Sequence, residues 1–369
     1  RKDAGRVDVI FGSVDMGQSV KNVDLADYAG LTVWGASAGD LAGFAVDAAR
    51  LNEDSAADVI IGAFWASGPG EARPMAGEVY VFHGGRDRRG VIDLASAPPD
   101  ITIYGAASED RLGEGVAAGD VNGDGLDDLV LPAPFARNVA GAQDAGQTYV
   151  IYSPAPRNID LTSFQPAATI YGVDDGDQLG HVTVVGDTDG DGKEDLLLTA
   201  VSADGPNNTV DLAGEAALVR GASLSPVVDV AVGCANSIVY GQDREERLGR
   251  SAAMGDTDGD GKMELILGAP GGTGADNNAQ AAGVVYVVQA EGLGPDVQMP
   301  GTAFVYYGTD AGDALSSEIY GRLPLAAADL DGDGRDEILA VAPLGDGPGD
   351  RRKDCGEAVI LFISSGNGA

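Results

Sequence analysis

The sequence predicts an all-β repeat protein. Three observations carry that expectation. One phrase recurs about every 70 residues, apolar runs are short and rich in Val, Ile and Leu, and helical three-to-four spacing is nearly absent. The fullest copy opens with Ile103-Tyr104-Gly105 and continues through Asp110-Arg111-Leu112-Gly113. It then runs from Gly119-Asp120 to Leu131 and closes on Ala145-Gly146-Gln147-Thr148-Tyr149-Val150-Ile151. Later copies start at Ile170-Tyr171-Gly172, Val239-Tyr240-Gly241 and Val305-Tyr306-Tyr307-Gly308, and a weaker one at Val33-Trp34-Gly35.

Within a copy, runs bounded by Gly, Pro, Asp and Asn read as four strands. In the second copy these are Val116–Ala118 before an acidic loop, Leu129–Leu131 after it, Thr148–Tyr152 and Thr169–Tyr171. A period near 70 is too long for a helical solenoid unit and suits one four-stranded antiparallel blade with its loops. A blade alone leaves its faces bare, so successive blades must stack to bury them. The expected architecture is therefore a β-propeller, a single domain over 1–369. Its repeats fall roughly at 31–100, 101–168, 169–237, 238–303 and 304–369, with 1–30 a partial blade. Five acidic-loop regions are visible. The chain opens on a third-strand phrase at Val7–Phe11 and ends on another at Glu357–Ile363. Either Leu31–Trp34 completes the last blade and closes a five-bladed ring, or the chain is an excerpt of a larger propeller; the closed ring is the favoured expectation.

The phrase resembles the FG-GAP repeat of integrin α-subunit propellers over nearly the whole chain. Leu112-Gly113, Leu179-Gly180 and Leu248-Gly249 stand where that family often has Phe-Gly. Gly268-Ala269-Pro270 carries the second half of the motif, varied at Pro132-Ala133-Pro134 and Val341-Ala342-Pro343. The family usually closes with seven blades, which would apply here to an excerpt.

The acidic loops read as metal sites. Asp187, Asp189, Asp191 and Asp195 offer side-chain oxygens at positions one, three, five and nine, and Lys193 a backbone carbonyl at seven. The same spacing gives Asp120, Asn122, Asp124, Leu126 and Asp128; Asp256, Asp258, Asp260, Lys262 and Glu264; and Asp329, Asp331, Asp333, Arg335 and Glu337. Hard oxygen donors without His or thiolate select Ca2+ over zinc or copper, and the tighter octahedron of magnesium fits less well. Plain Asp-Gly turns are the bland alternative, disfavoured by four copies with one spacing and a closing acid. An EF-hand needs flanking helices and a glutamate at position twelve. Here that position is apolar (Leu131, Leu198, Leu267, Ala340). The first copy departs: Arg50, Asn52 and Asp54 take positions one, three and five, with Ser55 for a glycine and Asp58 closing. A guanidinium there can pair with Asp54 and Asp58 in place of a metal, or the site is simply lost. Either way this loop is expected to bind no calcium.

Charge narrows the partners. The 369 residues hold 23 Lys plus Arg against 58 Asp plus Glu, a net of −35. Nucleic acid and anionic membrane surfaces call for the opposite sign. Such acidity gathers cations or keeps a protein soluble in a salty setting. No run approaches the roughly 18 apolar residues of a membrane span. Arg1-Lys2-Asp3-Ala4 does not read as a signal peptide, so any targeting segment is expected outside these residues. Cys234 and Cys355 are expected as unpaired residues more readily than as a disulfide, and His83 and His181 make no zinc set.

Function is expected on the loops at the strand ends away from the acidic turns, the end by which integrin propellers recognise partners. Phe64, Trp65 and Arg73 stand out as interface anchors, with Phe135 and Arg137 in the next blade and Arg351-Arg352-Lys353 in the last. Phe64 and Trp65 can equally cap the hydrophobic centre. Arg86, Arg88 and Arg89 read as a solvated loop. Asp110, Asp177 and Asp313 recur as turn residues. No nucleophile elbow, phosphate loop or zinc helix is present, so no enzyme is expected. The reading is a calcium-stabilised recognition module for a protein or glycan ligand, extracellular, at the cell surface or periplasmic. The alternative is a lectin-like propeller or polysaccharide-active enzyme on the same scaffold. The sequence holds no Arg-Gly-Asp triplet.

Overall fold

The computed structural model describes residues 1–11, 30–85, 88–275, 279–301, 303–317, 325–346 and 355–362. Among them there is no α-helix, only strands and four single-turn 3-10 segments. In chain order the strands begin with β1 (Arg6–Val9) and β2 (Leu31–Trp34). The next repeat supplies β3 (Val46–Ala49), β4 (Asp58–Ala63), β5 (Glu78–Phe82), β6 (Gly90–Asp93) and β7 (Ile101–Tyr104). Then come β8 (Ala117–Gly119), β9 (Asp128–Ala133), β10 (Gln147–Ile151), β11 (Asn158–Asp160) and β12 (Ala168–Tyr171). The third set is β13 (Thr183–Gly186), β14 (Asp195–Ala200), β15 (Glu215–Val219), β16 (Val227–Asp229) and β17 (Ser237–Tyr240). The fourth is β18 (Ser251–Gly255), β19 (Glu264–Ala269), β20 (Val284–Val288), β21 (Asp296–Gln298) and β22 (Phe304–Tyr307). The chain ends in β23 (Leu325–Ala328), β24 (Glu337–Ala342) and β25 (Glu357–Leu361). These are the small, mostly antiparallel sheets of β-propeller blades.

The strands fall into two compact units. The first is Arg1–Ala118 with Leu126–Ala133 and Val150–Pro166; the second is Gly119–Gly125, Pro134–Tyr149 and Ala167–Ala369. In the first unit β3, β4, β5 and β7 form an antiparallel meander, with Val46 opposite Ile61 and Glu78 opposite Tyr104. Leu31, Val33, Ile61, Tyr80 and Phe82 make one core there. In the second unit β13, β14, β15 and β17 repeat the pattern, as do β18, β19, β20 and β22. The second strands β14 and β19 are buried along their whole length, so their sequences are mostly apolar runs that start on a buried acid. Leu197, Leu218, Leu248, Leu267 and Tyr286 pack between these sheets, and each buried Leu contributes about 2 kcal/mol.

Two expectations are corrected. The blades are not confined to four strands. A short strand from the following repeat lies parallel on the outer edge of the fourth: β6 on β2, β11 on β7, β16 on β12 and β21 on β17. A bare fourth strand would expose a row of unpaired N–H and C=O groups, and the added strand covers them. The signal lay in Val91-Ile92-Asp93, Asn158-Ile159-Asp160, Val227-Val228-Asp229 and Asp296-Val297-Gln298, where a buried or half-buried aliphatic sits among polar or exposed neighbours. Second, Leu31–Trp34 does not complete the last blade. It pairs antiparallel with Arg6–Val9, Arg6 opposite Trp34, and the hairpin-like neighbour in sequence wins over a distant edge. The third-strand phrase Glu357–Ile363 forms β25 up to Leu361; Ile363 lies outside the described residues.

The repeated Tyr-Gly, Leu-Gly and Ala-Gly elements form one seam. The N–H of Leu112 donates to the carbonyl of Ala76 at 3.0 Å and that of Gly105 to Gly77 at 2.9 Å. The same pair of bonds recurs at Leu179/Ala145 with Gly172/Gly146 and at Leu248/Ala213 with Gly241/Gly214. A Cβ on Gly214 would stand 2.3 Å from the carbonyl oxygen of Leu248, and its φ is +81°. Only glycine meets both demands. Gly214→Ala is expected to destabilise the second unit by about 2 kcal/mol or more, from left-handed strain plus backbone overlap. Gly176→Ala, at φ +85° with nothing within 4 Å, should cost about 1 kcal/mol. Urea unfolding of the two variants side by side checks this; equal losses would contradict the seam.

Candidate metal centres

Each acidic loop joins the first strand of a blade to the second, and its first aspartate curls it. Asp120 Oδ1 accepts the N–H of Gly123 at 2.7 Å and of Asp124 at 2.9 Å, while Oδ2 accepts Gly125 at 2.8 Å. Asp187 holds Gly190 and Gly192, Asp256 holds Gly259, Asp260 and Gly261, and Asp329 holds Gly332 and Gly334 in the same manner. Positions three and five then brace the turn: Asp191, Asp260 and Asp333 each accept the N–H of position seven (Lys193, Lys262, Arg335) at 2.8, 2.9 and 3.0 Å. In the first loop the Asn122 amide donates to Asp124 at 3.0 Å, with Leu126 at position seven.

The curling brings carboxylates together. Oxygens of Asp187, Asp189 and Asp195 lie within 4.8 Å of one another, as do those of Asp256, Asp258 and Asp260 and those of Asp329, Asp331 and Asp333. The donor set is all oxygen and the residues present fit a hard divalent cation. Asp191, Glu264 and Glu337 fall outside these three tight groups. The acid at position nine also has a second duty. Asp195 accepts from the backbone and hydroxyl of Thr188 and from the N–H of Gly221 at 3.0 Å. Glu264 accepts both donors of Thr257 at 2.8 and 2.6 Å, and Glu337 the N–H of Leu330 at 2.9 Å. Asp128 holds the N–H of Ser153 at 2.9 Å. Burial pushes the carboxyls of Asp195 and Glu264 above the usual range, hydrogen bonds pull them back, and Asp189, or Asp258 and Asp260, push them up again.

One cation is built in. The guanidinium of Arg220 pairs with Asp189 and donates to the carbonyl of Ala290 at 3.1 Å. The sequence carries no motif that announces it.

In the departing loop, of the two alternatives the pairing of Arg50 with Asp54 and Asp58 does not hold. Among the described residues the Arg50 guanidinium makes no ion pair, and its backbone is tied to Asp127 at 2.6 and 2.9 Å. The buried Asp58 instead receives Asn52 Nδ2 at 3.1 Å, Leu51 N–H at 3.2 Å and Gly84 N–H at 2.7 Å, with His83 Nδ1 at 3.3 Å. Asn52 hydrogen-bonds the closing acid and His83 lies beside both, a role the loop spacing alone did not disclose.

At the other strand ends, the recurring acids are turn residues as expected. Asp40, Asp110 and Asp177 each accept a backbone N–H three residues earlier, at 2.7, 2.9 and 3.0 Å, and Asp313 is equally buried. Among the candidate anchors, Trp65 is 45 % exposed whereas Phe64 is 5 % exposed and stacks on Phe44 at 4.5 Å. Phe135 is half-buried and Arg137 exposed. Arg73 is committed within the chain: it grips Asp160 through two bonds of 2.7 and 3.1 Å, and this holds the Asp160 carboxyl down to about 2. Arg86 and Arg351-Arg352-Lys353 lie outside the described residues. Cys234 and Cys355 are exposed thiols.

The sequence reading passed over the glutamates that open the third strands. Glu78 and Glu215 each follow an Ala-Gly pair, a signal available by inspection. Burial raises Glu78 to about 7 and Glu215 to about 8, and Asp177, Asp174 and Asp204 add to the latter. Asp177, Glu215, Tyr240 and Asp296 line a cavity of about 420 Å³ in the second unit.

The fold and its loops define an all-β, propeller-type repeat protein. More particularly, the chain carries FG-GAP repeats, with the family model matching residues 112–151 and 248–288. It is 32 % identical over 171 residues to the phosphatidylinositol-glycan-specific phospholipase D of Mus musculus, covering 44 % of this chain and 19 % of that enzyme. It is 28 % identical over 188 residues to integrin alpha-5 of Xenopus laevis, covering 50 % of this chain and 16 % of that protein. Thus the chain spans about a fifth of the length of these relatives. A rhamnogalacturonan lyase of Bacillus licheniformis superimposes with a TM-score of 0.34 at 13 % identity, over 79 % of this chain and 58 % of the lyase. The expectation of no enzyme is overturned: the phospholipase D relatives bear the name of an enzyme, so the lack of a familiar catalytic motif does not exclude catalysis. No helix among the described residues is long and apolar enough to cross a membrane.

The raised carboxyls fix a pH dependence. A folded-state value near 8 for Glu215 and 6 for Asp177 exceeds the unfolded range near 4, so the folded state binds these protons more tightly. Their ionisation penalty is absent below about pH 4 and complete above about pH 8. In chelator, the unfolding midpoint should fall from pH 5 to pH 8.5, and Glu215→Gln should flatten that slope. An unchanged slope in the variant would contradict the assignment.

Proposed function

We propose that this is a calcium-stabilised extracellular recognition module whose four acidic loops each hold one Ca2+. The observation that carries the reading is the shared loop geometry: in all four loops a first aspartate is curled by backbone N–H groups, and in the 187, 256 and 329 loops carboxylate oxygens crowd behind it. Asp120, Asn122, Asp124 and Asp128 would hold one ion, and the 187, 256 and 329 loops one each. The carbonyls of Leu126, Lys193, Lys262 and Arg335 would complete the shells. The bound ion supplies charge neutralisation. Sites of the affinity expected in extracellular modules fill only where calcium is millimolar, which supports a location outside the cytoplasm. A protein partner is taken by the loops at the opposite strand ends, where Trp65 presents an exposed aromatic in the first unit. Integrin alpha-5 among the relatives supports a protein partner over a glycan.

A second reading is that the module serves the kind of activity named in its phospholipase relatives, action on a phosphatidylinositol glycan. The 32 % identity to the mouse enzyme favours it. Its test is release of a glycan-anchored reporter from vesicles by the purified protein.

Thermal unfolding tests the main reading. Saturating each site at a hundred times its Kd adds about 2.7 kcal/mol, so excess calcium should raise the midpoint by at least about 10 °C over chelator. Magnesium at the same concentration should give much less. No calcium-specific rise at low or high sodium chloride would sink the metal assignment.

A further inference from the structure

The first unit contains a cavity of about 580 Å³, larger than the acidic one and of opposite character. Its walls are Leu31, Val59, Phe82 and the alanines of the departing loop, Ala56 and Ala57. In a chain of net charge −35, the charged side chains lining it are two arginines, Arg88 and Arg89, and no acid among the described residues.

The cavity is a consequence of how this loop departs from the others. Where Ala56 and Ala57 stand, the four acidic loops carry Leu126-Asp127, Lys193-Glu194, Lys262-Met263 and Arg335-Asp336. Replacing long, mostly charged side chains by two methyl groups opens space and removes charge from the wall. Asp58 then fixes the wall by accepting the N–H of Gly84 at 2.7 Å, and Gly84 packs so closely that a Cβ would meet the carbonyl of Ala57 at 2.1 Å. The loop that lost its leading aspartate has become a structural side of a pocket.

The arginines differ in their commitments. Arg88 pairs with Asp100 at 2.6 Å and lies 5.7 Å from the Phe82 ring. Arg89 is exposed and stacks 4.8 Å over Phe11, with no carboxylate partner among the described residues. A guanidinium stacked on a ring keeps its in-plane N–H groups for a planar or tetrahedral anion. Cavities of about 300–1,000 Å³ with apolar walls and few polar groups suit a small ligand.

We propose that this cavity binds an amphipathic anion: an apolar body against Leu31, Val59, Phe82 and the two alanines, and a carboxylate, sulfonate or phosphate head at Arg89. The site is independent of the calcium loops and of the partner face.

The test uses the full chain in calcium with anilinonaphthalene sulfonate as the anionic probe and phenylnaphthylamine as its uncharged counterpart. The sulfonate should bind saturably, and Arg89→Ala should weaken it about tenfold while leaving the uncharged probe unchanged. Ala57→Phe should abolish both. Should that variant lower the melting temperature, Arg89→Ala, an exposed position, decides the matter alone. Non-saturable fluorescence, or sulfonate binding indifferent to Arg89→Ala, would overturn the proposal. Complete displacement by millimolar inorganic phosphate would also overturn it, by marking a bare anion site.

Discussion

The constraint on which the rest depends is the crowding of like charges in the turns that open three of the blades. Three carboxylates with oxygens within 4.8 Å repel one another strongly unless a cation or a proton intervenes. Backbone N–H donors hold the first aspartate in place, and a buried acid at position nine pins the turn to the strand that follows. The turn, the central strand and the charge cluster are thus one unit. Neutralising the cluster stabilises the hairpin, and the hairpin forms the cluster. The chain answers this in two ways that the structure displays: Arg220 beside Asp189, and Asn52 with His83 around Asp58 where Arg50 replaces the leading aspartate.

A second constraint is geometric and runs through both units. The glycine before a third strand and the backbone of the leucine in the turn leading to the next blade approach so closely that the glycine position can carry no side chain. Gly77 would place a Cβ 2.0 Å from the carbonyl of Leu112, Gly146 2.2 Å from that of Leu179, and Gly214 2.3 Å from that of Leu248. These contacts explain why a Tyr-Gly, a Leu and an Ala-Gly element travel together in the copies that carry them. They also place the third-strand glutamates beside the turn acids, which is why Glu215 and Asp177 share a cavity and why burial raises both.

Most of the architecture was legible because it is periodic. Strand type, strand order and the acidic loops follow from spacing that repeats, and the recurring turn aspartates were read correctly for the same reason. The outer parallel strands were missed because three-residue segments such as Asn158–Asp160 carry too little pattern to stand out, although their buried Ile159 is a usable mark. Contacts between residues far apart in sequence were not legible at all. Arg73 reads as a free anchor until Asp160 is seen beside it, and Arg50 reads as a partner of Asp58 until Asn52 and His83 are seen beside that acid instead. The expectation of no enzyme failed for another reason: the absence of known motifs measures the motifs, not the chain.

The most direct measurement of the account is the number of calcium ions bound, counted by equilibrium dialysis of the metal-stripped chain against labelled calcium. The account predicts four ions per chain, falling to three in Asp256→Ala, with the Arg220-paired 187 loop the last to fill. None bound would show that hydrogen bonds alone close these turns. A fifth ion lost on Asp58→Asn would show that the departing loop is a metal site after all.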